Sequence, residues 1–198
     1  MCRASGEGRQ YTDGTNRPCD EARRVCLFCA AGIYDRKRLG VVMNLHIRPA
    51  DLEDARDADS VVVLLNSYAI EPVGGGKPLP RDVRDRLVPA LRDIPRALVL
   101  LAFVDDAAIG IAVCFFGFST FRARPLLNVH DLAVLPQYRG QGVGRALLQA
   151  AEDHARRHGC CRLTLEVLES NFGARALYRS FGFDDSTVSR FLVKPLDG

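Results

Sequence analysis

The chain has 198 residues, 47% of them hydrophobic and 26% charged, with a formal net charge of +3. That length suits one domain with a real core, and the composition is that of a soluble globular protein. The charge is too small to point to a nucleic-acid partner, and the longest apolar runs, such as Ala97–Val104, are far too short to span a membrane; with no secretory apolar region at the start, a cytoplasmic protein is expected.

Residues 1–42 have no sustained hydrophobic period and many turn formers, with "LFCAAGIY" (Leu27–Tyr34) as their one apolar stretch. They read as a poorly ordered N-terminal extension, and residues 43–198 as the domain. From Met43 the pattern is regular. "LHIR" (Leu45–Arg48) is a short strand closed by Pro49, and Asp51 to about Asn66 is a helix with an apolar side. "EPVGGGKPLP" (Glu71–Pro80) is a loop, and Arg81–Asp93 an amphipathic helix with Pro80 at its start. "RALVLLAFV" and "AIGIAVCFFGF" are strands joined by a hairpin at Asp105-Asp106. Leu126–Val134 is the next strand, followed by a glycine-rich turn and a helix from about Val143 to His158, ended by Gly159. Cys161–Leu168 is a strand, Asn171 caps a short helix through Ser180, and Ser186–Lys194 is a last strand.

The seven cysteines (Cys2, Cys19, Cys26, Cys29, Cys114, Cys160 and Cys161) are odd in number and lack a repeated short spacing, so reduced thiols are expected. Cys19, Cys26 and Cys29 lack a fourth ligand, and no metal site is expected. No histidine is tied by motif to Cys114 or to Cys160-Cys161, which read as packing residues rather than as acyl-enzyme nucleophiles.

The informative stretch is Arg139-Gly140-Gln141-Gly142-Val143-Gly144-Arg145, between a strand and a helix. Glycines expose backbone N–H groups, a helix N-terminus adds partial positive charge, and arginine forks suit phosphate oxygens. The expected ligand is a phosphate or pyrophosphate. A P-loop is excluded because no lysine is present and Arg145 is followed by Ala146. A dinucleotide G-x-G-x-x-G fails as well, since its third glycine falls on Arg145 or Leu147, although Glu166 stands where a ribose-binding acid would.

The segment resembles the acetyl-CoA loop of the GNAT superfamily of N-acetyltransferases, Gln/Arg-x-x-Gly-x-Gly/Ala. The likeness extends to "HDLAVLPQYRG" before it and to "LEVLESNFGARALYRSFGF" after it, with Asn171, Tyr178 and Gly182-Phe183 at familiar spacing. It implies an α/β (α+β) fold: a mixed, mostly antiparallel sheet of six to seven strands, splayed between strands 4 and 5 and flanked by helices. It implies acetyl-CoA as co-substrate and direct attack of an amine on the thioester. The pyrophosphate would rest on the backbone of Gly140, Gln141, Gly142, Val143, Gly144 and Arg145, with Arg139 flanking. The acetyl carbonyl and pantetheine would pair with the backbone of Leu132, Ala133 and Val134, and Asn171 would bind the pantetheine arm. Tyr178 would protonate the departing thiolate, and Asp131 or His130 would serve as base, with Glu166 and Glu169 as further acids. "CFFGFSTF…LLNVHDLAV" is somewhat similar to diamine and polyamine acetyltransferases, which carry an acidic pair where this chain has His130-Asp131. A primary amine on a small molecule is the acceptor expected. A protein N-terminus or lysine is the alternative acceptor, and a non-catalytic acyl-CoA module the alternative role. Dimers are common in that superfamily.

Overall fold

The computed structural model describes residues 44–184 and 192–196. The readings made for residues 1–42, including Cys19, Cys26 and Cys29, lie outside the described residues, as does most of the closing strand expected at Ser186–Lys194.

The described chain runs β1 (Leu45–Pro49), α1 (Ala55–Ile70), α2 (Arg81–Asp93), β2 (Ala97–Val104), β3 (Ala107–Ser119), β4 (Arg124–Val134), α3 (Val143–Arg157), β5 (Leu163–Leu165) and α4 (Phe172–Phe181). The strands form one sheet in sequence order, antiparallel except for the β4–β5 pair, which is parallel. Five strands are present among the described residues, not six to seven. β5 is also shorter than expected, because only Leu163, Thr164 and Leu165 find partners on β4.

β2 is apolar throughout because helices cover both of its faces. Leu98, Leu100, Ala102 and Val104 join the cluster under α3 with Leu147, Leu148 and Ala151. Val99, Leu101 and Phe103 join Val61, Leu64, Val88 and Leu91 under α1 and α2. Complete burial of a residue such as Leu147 contributes about 1.5–3 kcal/mol. α1 starts later than its apolar pattern suggests because the Asp54 carboxylate accepts from the N–H groups of Arg56 and Asp57. It also runs further, to Ile70.

An ion pair fixes β1 to α1. Arg48 donates to Asp57 through Nη1 to Oδ2 at 2.5 Å and Nη2 to Oδ1 at 2.8 Å, and the Asp51 N–H adds a third bond at 2.8 Å. The Arg48 bond, more than the backbone one, holds the buried Asp57 carboxyl below the usual carboxylate range. Its stabilisation is therefore present above the unfolded-state pKa of about 3.9 and is lost as pH falls through the depressed folded value. Asp57→Asn is expected to cost roughly 3 kcal/mol at neutral pH by denaturant unfolding. The gap to wild type should close toward pH 3.

Candidate active site

β4 is paired to β5 only through Leu127, Asn128 and Val129, yet it continues to Val134. From His130 onward it has no partner on its β5 side among the described residues, so the sheet opens there. The Leu135 N–H bonds the Ile109 carbonyl of β3 at 2.9 Å. By alternation, Ala133 also turns its backbone to β3, while Leu132 and Val134 present theirs to the gap. Two of the three residues expected to pair with the pantetheine thus face the opening. The Val134 carbonyl there accepts from Arg139 Nε at 2.9 Å.

A bulge changes what β4 offers its faces. Cys114 pairs with Val129 and Val113 with Asp131, which leaves His130 as the extra residue. Before the bulge, Leu127 and Val129 point toward α3; after it, Leu132 does, and Ala133 packs on the α1–α2 side. Asp131 shares that side with its partner Val113. The His130 ring leans the same way, edge-on to Phe115 at 5.5 Å between centroids. Neighbours that normally point apart along a strand are thereby brought to one face.

Asp131 is half-buried and has no hydrogen bond or ion pair among the described residues. Burial pushes its carboxyl above the usual range, against the opposing pull of His130. Tyr68, from the last turn of α1, packs on the same cluster. Its phenol is raised first by burial, then by the charges of Asp131 and Glu71. Tyr178, from α4, packs on the opposite cluster with its ring edge-on to Phe183 at 5.8 Å. Burial, with a further contribution from Tyr68, pushes the Tyr178 phenol up to about 12. Tyr68 thus stands within electrostatic reach of both Asp131 and Tyr178.

Beyond the strand, a one-turn helix (Pro136–Tyr138) leads into the glycine turn. Gly140 and Gly142 have φ of 69° and 86°, in the left-handed region. Gly142 is the N-cap of α3 and supplies no side-chain cap. The first helical bond runs from Ala146 to the Gly142 carbonyl at 3.0 Å. None of the backbone N–H groups of residues 140–145 bonds a protein acceptor among the described residues. A row of free donors at a helix N-terminus fits a pyrophosphate. Gly144 has a separate reason to be glycine, since a Cβ there would stand 3.1 Å from Leu177 Cδ2 of α4.

The two flanking arginines are engaged elsewhere. Arg145 donates to the Ser180 carbonyl at 2.9 Å and Oγ at 2.6 Å, tying α3 to α4. Arg139 bonds Glu71 as well as Val134. Asn171 caps α4 by accepting from the Ala174 N–H at 3.1 Å, and its Nδ2 is left without a protein acceptor among the described residues. Glu166 and Glu169 are exposed, and Glu166 bonds Asn128 at 3.3 Å. Cys114 is fully buried, with its thiol pushed up to about 12 by burial and by Asp131, so it is a packing residue and no nucleophile.

Residues 65–183 match the model of the "Acetyltransferase (GNAT) family". This chain belongs to the GNAT family. The [Ribosomal protein bS18]-alanine N-acetyltransferase of Escherichia coli (strain K12) is 44% identical over 71 residues, 36% of this chain and 48% of that protein. The thialysine N-epsilon-acetyltransferase of Bos taurus is 35% identical over 79 residues, 40% of this chain and 46% of that one. The chain therefore spans about half the length of the curated relatives it matches. An aminoglycoside N-acetyltransferase solved in complex with CoA superposes with a TM-score of 0.63 at 17% identity, covering 78% of this chain and 97% of that one. That likeness concerns the fold. In this GNAT chain Tyr68 and Glu71 stand at the gap without having been singled out in the sequence. Tyr68 lies four residues after the buried Leu64, a spacing that reads as core.

The turn geometry carries a direct expectation. Gly142→Val forces a β-branched residue to φ 86° in the middle of the free N–H row. Acetyl-CoA affinity, measured by calorimetry on a variant with unchanged circular dichroism, should fall about tenfold or more. Unchanged affinity would remove the turn from the binding site.

Proposed function

We propose that this chain transfers an acetyl group from acetyl-CoA to a primary amine of a small molecule, by direct attack in a ternary complex. The observation that carries this reading is the half-buried, unpartnered Asp131 at a sheet gap that continues into six free N–H groups. An anionic cofactor suits the N–H row, and a cationic amine suits the carboxylate. The domain responsible is taken to be residues 43–198.

The residues divide the work as follows. The N–H groups of Gly140 to Arg145 bind the pyrophosphate, the backbone of Leu132 and Val134 aligns the pantetheine, and the free Asn171 Nδ2 donates to it. An ammonium with a pKa of about 10.4 costs roughly 4.6 kcal/mol to deprotonate at pH 7. Asp131 takes this proton, with His130 beside it as the second candidate. A free backbone N–H at the gap stabilises the oxyanion. Tyr178 donates to the sulfur as the carbon–sulfur bond breaks.

A second reading has a specific support. The likeness to a ribosomal-protein-alanine acetyltransferase favours a protein N-terminal amine as acceptor. One assay separates the readings: release of free CoA thiol with lysine, a polyamine, an aminoglycoside and an alanine-initiated peptide as acceptors. Turnover of the first three supports the small-molecule reading, and turnover of the peptide alone replaces it with the protein reading. Tight acetyl-CoA binding with no turnover of any amine would leave only a binding module.

A further inference from the structure

Arg139 and Glu71 are 68 positions apart and join two parts of the molecule that the proposed reaction uses together. Arg139 stands just after β4. Its Nε donates to the Val134 carbonyl and its Nη2 to the Glu71 carboxylate. Glu71 is where α1 ends. Its N–H donates to the Tyr68 carbonyl at 3.0 Å, and its own carbonyl accepts from the N–H groups of Gly74 and Gly76, both at 2.9 Å. Gly74 lies so close that a Cβ there would overlap the Tyr68 carbonyl. Further along, the Lys77 N–H bonds the Ala69 carbonyl at 3.1 Å, and the Leu79 N–H bonds Asn66 Oδ1 at 2.9 Å. The segment expected to be an irregular loop is therefore wound around Glu71 and latched to the end of α1. That end places Tyr68 on the face of β4 that Asp131 occupies. The Glu71 side chain is 22% exposed and that of Arg139 46%, so the pair is partly solvated, and the second bond from Arg139 to the Val134 carbonyl is what sets it apart from a lone surface pair.

We propose that Glu71 is a positioning residue: through Arg139 it fixes the end of α1, and with it Tyr68, to the open end of β4. The acceptor side and the acetyl-CoA side of the gap then keep one relative geometry. This function rests on the acetyl-transfer reading, whereas the strap itself does not. Arginine suits the role because its fork meets a carbonyl and a carboxylate at once, which a lysine ammonium on a flexible stem does not do in the same geometry. Because Glu71 neutralises Arg139, pyrophosphate binding falls to the backbone N–H row, and acetyl-CoA affinity should depend little on Glu71.

The test compares wild type with Glu71→Gln, Arg139→Gln, Arg139→Lys and the double variant Glu71→Gln/Arg139→Gln. In the free protein, amide exchange at Gly74, Gly76, Lys77 and Leu79 should speed up about tenfold or more in each single variant. The double variant should add little, because both changes break one contact. Arg139→Lys should not restore protection. For turnover, the expected signature of Glu71→Gln is a KM for the best-used panel amine raised about tenfold, with the acetyl-CoA Kd within about threefold of wild type. Unchanged exchange in Glu71→Gln and Arg139→Gln would overturn the strap. A large change in acetyl-CoA Kd with an unchanged amine KM would overturn its acceptor-side role and make Arg139 a phosphate ligand. Failure of every amine to react would remove the acetyl-transfer reading and with it the acceptor-side role, while the exchange data would still decide the strap.

Discussion

Tyr178→Phe is expected to lower kcat roughly 10²–10³-fold, the range for removing a donor aimed at developing charge. The acetyl-CoA Kd and the melting temperature should barely move, because the ring and its edge-on contact with Phe183 are kept. The raised phenol defines the chemistry. With a pKa of about 12, Tyr178 keeps its proton at every working pH. Complete transfer to a thiolate of ordinary pKa, about 8.5, is uphill. On the proposed mechanism its contribution would thus be a hydrogen bond that strengthens as charge grows on sulfur, rather than a finished proton transfer. The alkaline limb of kcat set by this group should lie near 12, not near the ordinary tyrosine value of about 10, and should vanish in the Phe variant. A variant within a few-fold of wild type would reduce Tyr178 to a packing residue.

What the sequence disclosed and what it hid divide along contact range. α2 at Arg81–Asp93 and β2 at Ala97–Val104 have the expected bounds or nearly so, because amphipathic period and flanking turn residues are local signals. The glycine turn and the Asn171 cap were legible for the same reason. The sequence allows a bulge in this strand, but its place at His130 was not legible there, because it depends on how β4 registers against β3. Nor was the arrangement of the loop after α1: three glycines and three prolines hide a turn bonded back to Glu71 and the end of α1, with Glu71 itself bonded to Arg139, far along the chain. Arg139 and Arg145 carry the right charge for phosphate, but their contacts with Glu71 and Ser180 are tertiary and could not be read from the sequence. Tyr68 packs on the core, as its spacing from Leu64 suggests, whereas its nearness to Asp131 is a tertiary fact.

Asp131→Asn should raise stability and remove activity. The native state holds this carboxyl above the usual range because burial penalises its charge, which outweighs the help from His130. For a raised group, the associated stability is present below the unfolded-state value of about 3.9 and is lost as pH rises through the folded value. At neutral pH the charged Asp131 therefore works against folding, since burial outweighs His130 and no ion pair or hydrogen bond holds the carboxylate among the described residues. A neutral amide of the same shape removes that cost. The melting temperature of the variant should exceed wild type at pH 7–8, and the difference should disappear toward pH 4. On the proposed mechanism the same change removes the base and the partner of the ammonium, and kcat/KM for the amine should fall roughly 10²–10⁴-fold. Retained strain at a reactive group is the usual origin of such a trade. A carboxylate that anchored backbone would give the opposite stability result, because Asn would lose charge-assisted hydrogen bonds. A lower melting temperature at neutral pH, or near-normal turnover, would therefore return the base to His130 or to a water path and make Asp131 structural.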